Sequence, residues 1–211
     1  MSNLFYIMGK SSSGKDTIYK RIKEKMNINT YILYTTRPIR EGEREGVDYH
    51  YISNEKMEEL IKEGKVLESR TYQTVNGPWI YATVADEQLQ QEGNIITVGT
   101  LESYRDIKEY YKDKIDTKLV PIYISIDEQE RRKRAIKREE GQIKPNYAEV
   151  ERRIKADNID FSEENLRKCG ITSKETFYNY DLDKCVSQII DYMERVNQTD
   201  KNSNVVDLEE R

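Results

Sequence analysis

GKSSSGKDT, from Gly9 to Thr17, has the spacing G-x-x-x-x-G-K followed by two polar residues. Consecutive amides in a glycine-rich turn of this kind point into one concavity, and the helix that follows adds its positive end, so an anion is held without side-chain charge. Lys15 then reaches the phosphate in transfer. The candidate nucleotide cradle is Gly9, Lys10, Ser11, Ser12, Ser13, Gly14, Lys15, Asp16 and Thr17. Two glycines and a lysine at this spacing arise by chance in about one such chain in twenty. Placement lowers that risk. The run LFYIM (Leu4 to Met8) is continuously apolar up to the first glycine, as a strand buried on both faces is. Ile18, Ile22 and Met26 then recur every four residues and predict a helix. Strand, loop and helix is the context a phosphate loop requires. One residue is out of pattern: Asp16 stands where a magnesium-binding hydroxyl is the usual choice.

Working outward, TYILYTTRPIREGEREGVDYHYIS has strand-like ends around a middle containing Pro38, Gly42 and Gly46, which predicts a small β-rich flap. A short helix starts near Ser53 or Asn54, buries Met57, Leu60 and Ile61, and is closed by Gly64. NIITV (Asn94 to Val98) and KLVPIYISI (Lys118 to Ile126) read as further buried strands. Between them lies a helical stretch with Tyr104, Ile107 and Tyr111 on one side. Asp127 is a candidate N-cap for a charged helix carrying RRKRAIKREEG, and a second helix runs from about Asn146 through RRIKADNI. A last strand near TFYN leads to a helix with Val186, Ile189, Ile190 and Met193 inward. The alternation of strand and helix implies an α/β fold around a parallel sheet. From Asn197 the chain is polar and aperiodic, which predicts a disordered tail over 197–211.

The chain has 211 residues, enough for one compact domain with inserted flaps. A net charge of -4 and a pI near 5.4 argue against duplex nucleic acid as a partner, because phosphate contacts need a basic face. Cys169 and Cys185 have no metal-ligand spacing, and two thiols fit a reducing, cytoplasmic setting. No run approaches the roughly 18 apolar residues a membrane span requires, and the N-terminus lacks a basic region and a cleavage site.

TTRPIREGEREGVDYHYIS, followed by Glu68, WIYAT and the arginine-rich segments, resembles the guanylate kinases over about residues 3 to 196. The resemblance implies a P-loop NTPase fold with a parallel core sheet (1–33, 88–127 and 157–196), an inserted β-rich GMP-binding flap (34–87) and a helical lid (128–156). It also implies ATP and Mg2+ on the loop and GMP on the flap. In that family TTRPxRxGExxGxDYxF clamps the GMP phosphate, which assigns Arg37, Arg40 and Tyr49, joined by Tyr81, to the acceptor phosphate. Forked guanidiniums and phenols suit a phosphate dianion. Glu68 resembles the glutamate that accepts from guanine N1 and the 2-amino group, and Thr83 takes the family's Ser/Thr position. Arg134, Arg138 and Arg153 match lid arginines that contact the phosphates in flight. The other basic residues there read as a solvated helix face. Asn179 resembles the position near adenine. His50 is read as a strand residue beside Tyr49, because a phosphate acceptor with a second pKa near 6 needs no base.

Four positions depart from the family pattern. Asp16 replaces a serine, Gly99 an aspartate at a strand end, Leu101 an acidic residue, and Leu33 a serine on the guanine side. We read the first two together: the acid has moved onto the loop, and Asp16 binds magnesium directly or through a water. TVNGPWIYAT is also longer than usual around Tyr81 and Thr83. Ribose 1,5-bisphosphate kinases likewise carry GKD in the loop and glycine at that strand end, so a sugar bisphosphate is the second acceptor to weigh. A third reading is a phosphopeptide-docking module that has lost ATP binding, although such modules have no reason to keep Gly9, Gly14, Lys15 and the lid arginines.

Overall fold

A computed structural model describes residues 2–74, 77–112, 117–142 and 144–209, the last ten of these by backbone alone. In chain order the elements are β1 (Ser2–Gly9), α1 (Lys15–Lys25), β2 (Asn29–Thr30), β3 (Tyr34–Thr35), β4 (His50–Tyr51), α2 (Asn54–Lys62), β5 (Val66–Thr74) and β6 (Gly77–Val84). Then come β7 (Ile95–Gly99), α3 (Leu101–Tyr111), β8 (Thr117–Ser125), α4 (Glu128–Glu140), α5 (Tyr147–Asp160), α6 (Glu163–Lys168), β9 (Thr176–Tyr178) and α7 (Leu182–Glu209).

The order β2-β7-β1-β8-β9 makes a parallel five-stranded sheet. Side chains alternate across β1, so Leu4, Tyr6 and Met8 join Tyr104 and Ile107 of α3, while Phe5 and Ile7 join Ile18 and Ile22 of α1 and Val186, Ile189 and Met193 of α7. With both faces covered, the strand has no polar side to offer water, which is why it reads as one apolar run. The phosphate loop leaves the C-terminal end of β1, between β7 and β8, where crossovers to the two sides open a crevice. A second sheet, β4-β3-β6-β5, lies entirely within residues 34–87. Of the long TVNGPWIYAT segment, Val75 and Asn76 lie outside the described residues.

Three sequence expectations are corrected. Ile61 is half exposed rather than buried, because on the short α2 only Met57 and Leu60 face inward. The tail read as disordered from Asn197 instead extends α7 to Glu209. Asn197 accepts from Asn3 Nδ2 at 3.0 Å, and a helix already nucleated by packing propagates at little cost through residues free of glycine and proline. Glu210 and Arg211 lie outside the described residues.

Third, the basic run of α4 is not wholly a solvated face: Arg131 is 1% exposed. Its Nη1 donates to Asp157 Oδ2 at 2.8 Å and its Nη2 to Asn158 Oδ1 at 2.9 Å. The same two acceptors take the Ser11 amide at 2.8 Å and Lys10 Nζ at 2.9 Å. The start of α4, the end of α5 and the phosphate loop are thereby tied at one buried point, while Ala135, Val150 and Ile154 pack the two helices together farther out. A buried charge must be paired, and helical period alone does not reveal a partner 26 residues away. Asp157→Ala therefore strands a buried guanidinium, and we expect a loss of about 3–5 kcal/mol in chemical unfolding. Adding Arg131→Leu should recover much of it; a double variant no more stable than Asp157→Ala would contradict this account.

Candidate active site

Two left-handed residues, Ser12 (φ 63°) and Gly14 (φ 92°), bend the loop. Close approach demands both outer glycines. A Cβ on Gly9 would lie 2.6 Å from Ser13 Oγ and 2.7 Å from the Ile124 carbonyl oxygen, and one on Gly14 would collide with the Asn179 side chain. Asn179 Nδ2 donates to the Ser13 carbonyl at 2.8 Å, so β9 braces the loop from behind. α1 begins at the loop with no side-chain cap, which leaves its first amides for an anion. Among the described residues the buried Ser12 and Ser13 hydroxyls have no partner, a state that a bound phosphate would relieve. Lys15 Nζ stands 3.4 Å from Asp16 Oδ2, and the Asp16 side chain is 71% exposed. Thr17 is exposed on the first turn of α1.

The structure brings Arg37, Tyr49 and Tyr81 together. Arg37 is buried, with Nε donating to Tyr81 Oη at 3.1 Å and its terminal nitrogens forking onto both Glu43 oxygens at 2.9 Å. A further bond reaches the Pro38 carbonyl. Four of its five donors are thus spent on holding Tyr81 and the flap turn. The Tyr49 ring lies edge-on to Tyr81, with the Arg37 guanidinium 5.4 Å from its centroid. Arg40 stands apart on the rim, exposed, 6.0 Å from the Trp79 ring. Glu43 and Tyr51, which complete the Arg37 cluster at 2.8 Å, were not singled out from sequence although both sit inside or beside the clamp segment. Hydrogen bonds from Arg37 hold the Glu43 carboxyl down at about 2.

Glu68 and Thr83 are opposed across β5 and β6, and Thr83 Oγ1 donates to Glu68 Oε1 at 2.7 Å. Burial pushes the Glu68 carboxyl above the ordinary range, against the pull of Arg70, whose Nε reaches Oε2 at 3.2 Å. Sequence reasoning missed Arg70, although residues two apart on a strand share a face. Arg70 Nη1 continues to Thr100 Oγ1, the N-cap of α3, and Ser103 of the same capping box bonds Tyr6. The Tyr6 hydroxyl occupies the place a side chain at position 99 would need. No carboxylate fits at that strand end while Tyr6 is there.

A cavity of about 520 Å³ is lined by Lys15, Asp16, Tyr49, Arg70, Tyr81 and Gly99, among others, so the phosphate loop and the flap face each other across it. An adjoining cleft of about 570 Å³ shares Lys15, Gly99 and Thr100 and adds Ser11, Arg153 and Asp157. Arg134 reaches the loop's brace, its Nη2 donating to the Asn179 carbonyl at 3.0 Å. Arg153 faces the cleft while paired with Glu139 and Glu149. Arg138 is on the outer side, exposed beside Arg153 and Lys144. His50 bonds Glu45 and packs on Tyr34, in a separate depression with Asp86.

Two outcomes follow. Glu43 is depressed in the folded state, so its contribution to stability is whole above about pH 4.5 and is lost as pH falls toward 2. The advantage of the wild type over Glu43→Gln in unfolding free energy should be flat from pH 7 to 5 and shrink below; parallel curves would refute the pairing. Gly99→Ala should cost about 1–3 kcal/mol by overpacking, and in a Tyr6→Leu background distinctly less. Equal costs in the two backgrounds would remove Tyr6 as the obstacle.

The chain is similar to known proteins over most of its length. The family model described as guanylate kinase matches residues 1–195. The guanylate kinase of Coxiella burnetii is 28% identical over 182 residues, 78% of this chain and 84% of that protein. The one from Fusobacterium nucleatum is 40% identical over 84 residues, 40% of this chain and 43% of its own length, so the chain spans less than half of that relative. A crystal structure of guanylate kinase from Anaplasma phagocytophilum superposes with a TM-score of 0.60 at 16% identity, covering 92% of this chain and 85% of that one, which shows a shared fold. The chain belongs to the guanylate kinase family.

Proposed function

We propose that this protein transfers the γ-phosphoryl group of ATP to GMP or dGMP, with a magnesium ion, giving ADP and the corresponding diphosphate. The observation that carries this reading is the single cavity whose walls hold both Lys15 of the phosphate loop and Tyr49 and Tyr81 of the flap. Its size suits a nucleotide.

In this reading the loop amides, Ser12, Ser13 and Lys15 hold the donor phosphates, with adenine near Asn179. Arg37, Arg40, Tyr49 and Tyr81 hold the acceptor phosphate, and Glu68 beside Thr83, buried next to Arg70 at the cavity wall, accepts the guanine edge once the site opens to it. Arg134 and Arg153 bring positive charge to the oxygens in flight, and Arg138 approaches only as α4 and α5 swing inward. Charge neutralisation and in-line positioning are most of what this chemistry asks of a protein. No general base is required, since the acceptor is already ionised near neutral pH. Closure excludes water as a competing acceptor.

Among the described residues no group of three or more His, Cys, Asp or Glu side chains is placed to hold a metal ion. Magnesium asks for less: one or two carboxylates plus phosphate oxygens and waters. Asp16, exposed and on the wall of the shared cavity, fits that requirement, and Tyr6 closes position 99 to the alternative. Bound there, the ion would neutralise phosphate oxygens. No helix among the described residues is long and apolar enough to cross a membrane, and two free thiols suit the cytoplasm. The relatives favour neither a sugar bisphosphate acceptor nor a docking role.

The test is steady-state ADP formation with ATP and magnesium against GMP, dGMP, AMP, UMP, CMP and ribose 1,5-bisphosphate. We expect turnover with GMP or dGMP, a loss of at least about 100-fold in kcat for Lys15→Ala, and a raised GMP KM for Arg40→Ala. Turnover with the sugar alone, or with no acceptor, would overturn the reading.

A further inference from the structure

Arg70 lies between the two ends of the acceptor site. The β5 to β6 register sets Glu68 opposite Thr83 and Arg70 opposite Tyr81, so the residue following the carboxylate on that face is a cation level with the phosphate-clamp tyrosine. Its side chain is 12% exposed and lines the cavity, while the Glu68 side chain beside it is fully buried. Nε is spent on Glu68 and Nη1 on Thr100, and among the described residues Nη2 has no partner. The guanidinium also sits at the N-terminus of α3, the positive end of a helix, where a cation is disfavoured. Glu68 offsets part of that field. An oxygen acceptor placed against the free N–H would offset more.

We propose that Arg70 is a specificity-determining residue that donates a hydrogen bond to the 6-oxo group of the acceptor purine; this rests on the GMP reading above. Glu68 keeps one lone pair at each oxygen after bonding Thr83 and Arg70. A donor next to a carboxylate acceptor is the complement of guanine, which shows an oxygen beside two N–H groups. Adenine reverses the row, bringing an amino group to the cation and a bare nitrogen to the carboxylate. Leu33, on the same wall, has no donor to give.

The test compares kcat/KM for GMP and for 6-thioguanosine 5′-monophosphate, which keeps both N–H groups and replaces the 6-oxo oxygen with a weak sulfur acceptor. In the wild type GMP should be preferred. Arg70→Ala should lower kcat/KM for GMP by about 10- to 100-fold and change the thio analogue far less, so that the preference collapses toward unity. The folded fraction cancels in this ratio, and Arg70→Gln supplies the same readout should the alanine variant not fold. Equal losses with both nucleotides would mean that Arg70 only positions Glu68, and no loss with either would remove it from the site; both overturn the assignment. A wild type with no turnover on GMP would instead reject the acceptor itself, and this inference with it.

Discussion

The contact on which the rest depends is the close approach of the phosphate loop to the strands beside it, β8 and the end of β9. Gly9 lies against the Ile124 carbonyl and Gly14 against Asn179, at separations that admit no Cβ. Asn179 then bonds the Ser13 carbonyl, so the loop is braced by β8 and β9 rather than by its own turn alone. A phosphate site of this type works through amide direction, and amides point only as well as the backbone behind them is held. That bracing aims Lys15 across the crevice toward the flap.

Around this point the molecule is stitched by charges that reach between elements. Arg131 and Asp157 join the start of α4 and the end of α5 to Ser11 of the phosphate loop. Glu68, Arg70, Thr100, Ser103 and Tyr6 form a continuous polar chain from the flap to β1 in the core. The chain ends at Gly99, where the Tyr6 hydroxyl fills the side-chain space. The Arg37 cluster follows the same logic: a buried guanidinium is fixed by Glu43 so that Tyr81 is held toward the cavity.

Much of this was legible from residue pattern. The strand before Gly9, the caps at Ser53, Asp127 and Asn146, and the inward faces of α3 and α7 all follow from periodicity and side-chain chemistry within a few residues. Arg37, Tyr49, Tyr81, Glu68 and Thr83 came from the family resemblance; in the structure Arg37 bonds Tyr81 and Glu68 lies opposite Thr83, which bonds it. What pattern reading missed was long-range. Arg131 looked like one more surface cation because its partner is on another helix, Ile61 looked buried because α2 offers a narrower inward face than its composition suggests, and the tail looked structureless because propagation from a packed helix leaves no composition signal.

The sequence by itself determined the phosphate loop and the alternation of strand and helix, because each is written in spacing that local backbone geometry enforces, and its motifs carry the resemblance to the guanylate kinases. Only the tertiary structure decided which charges are buried, that Arg70 rather than Glu68 lines the cavity, and that position 99 is closed. Those are matters of which side chains meet across strands and helices distant in the chain. Desolvation and steric exclusion act on the meeting, and neither leaves a mark on the order of residues.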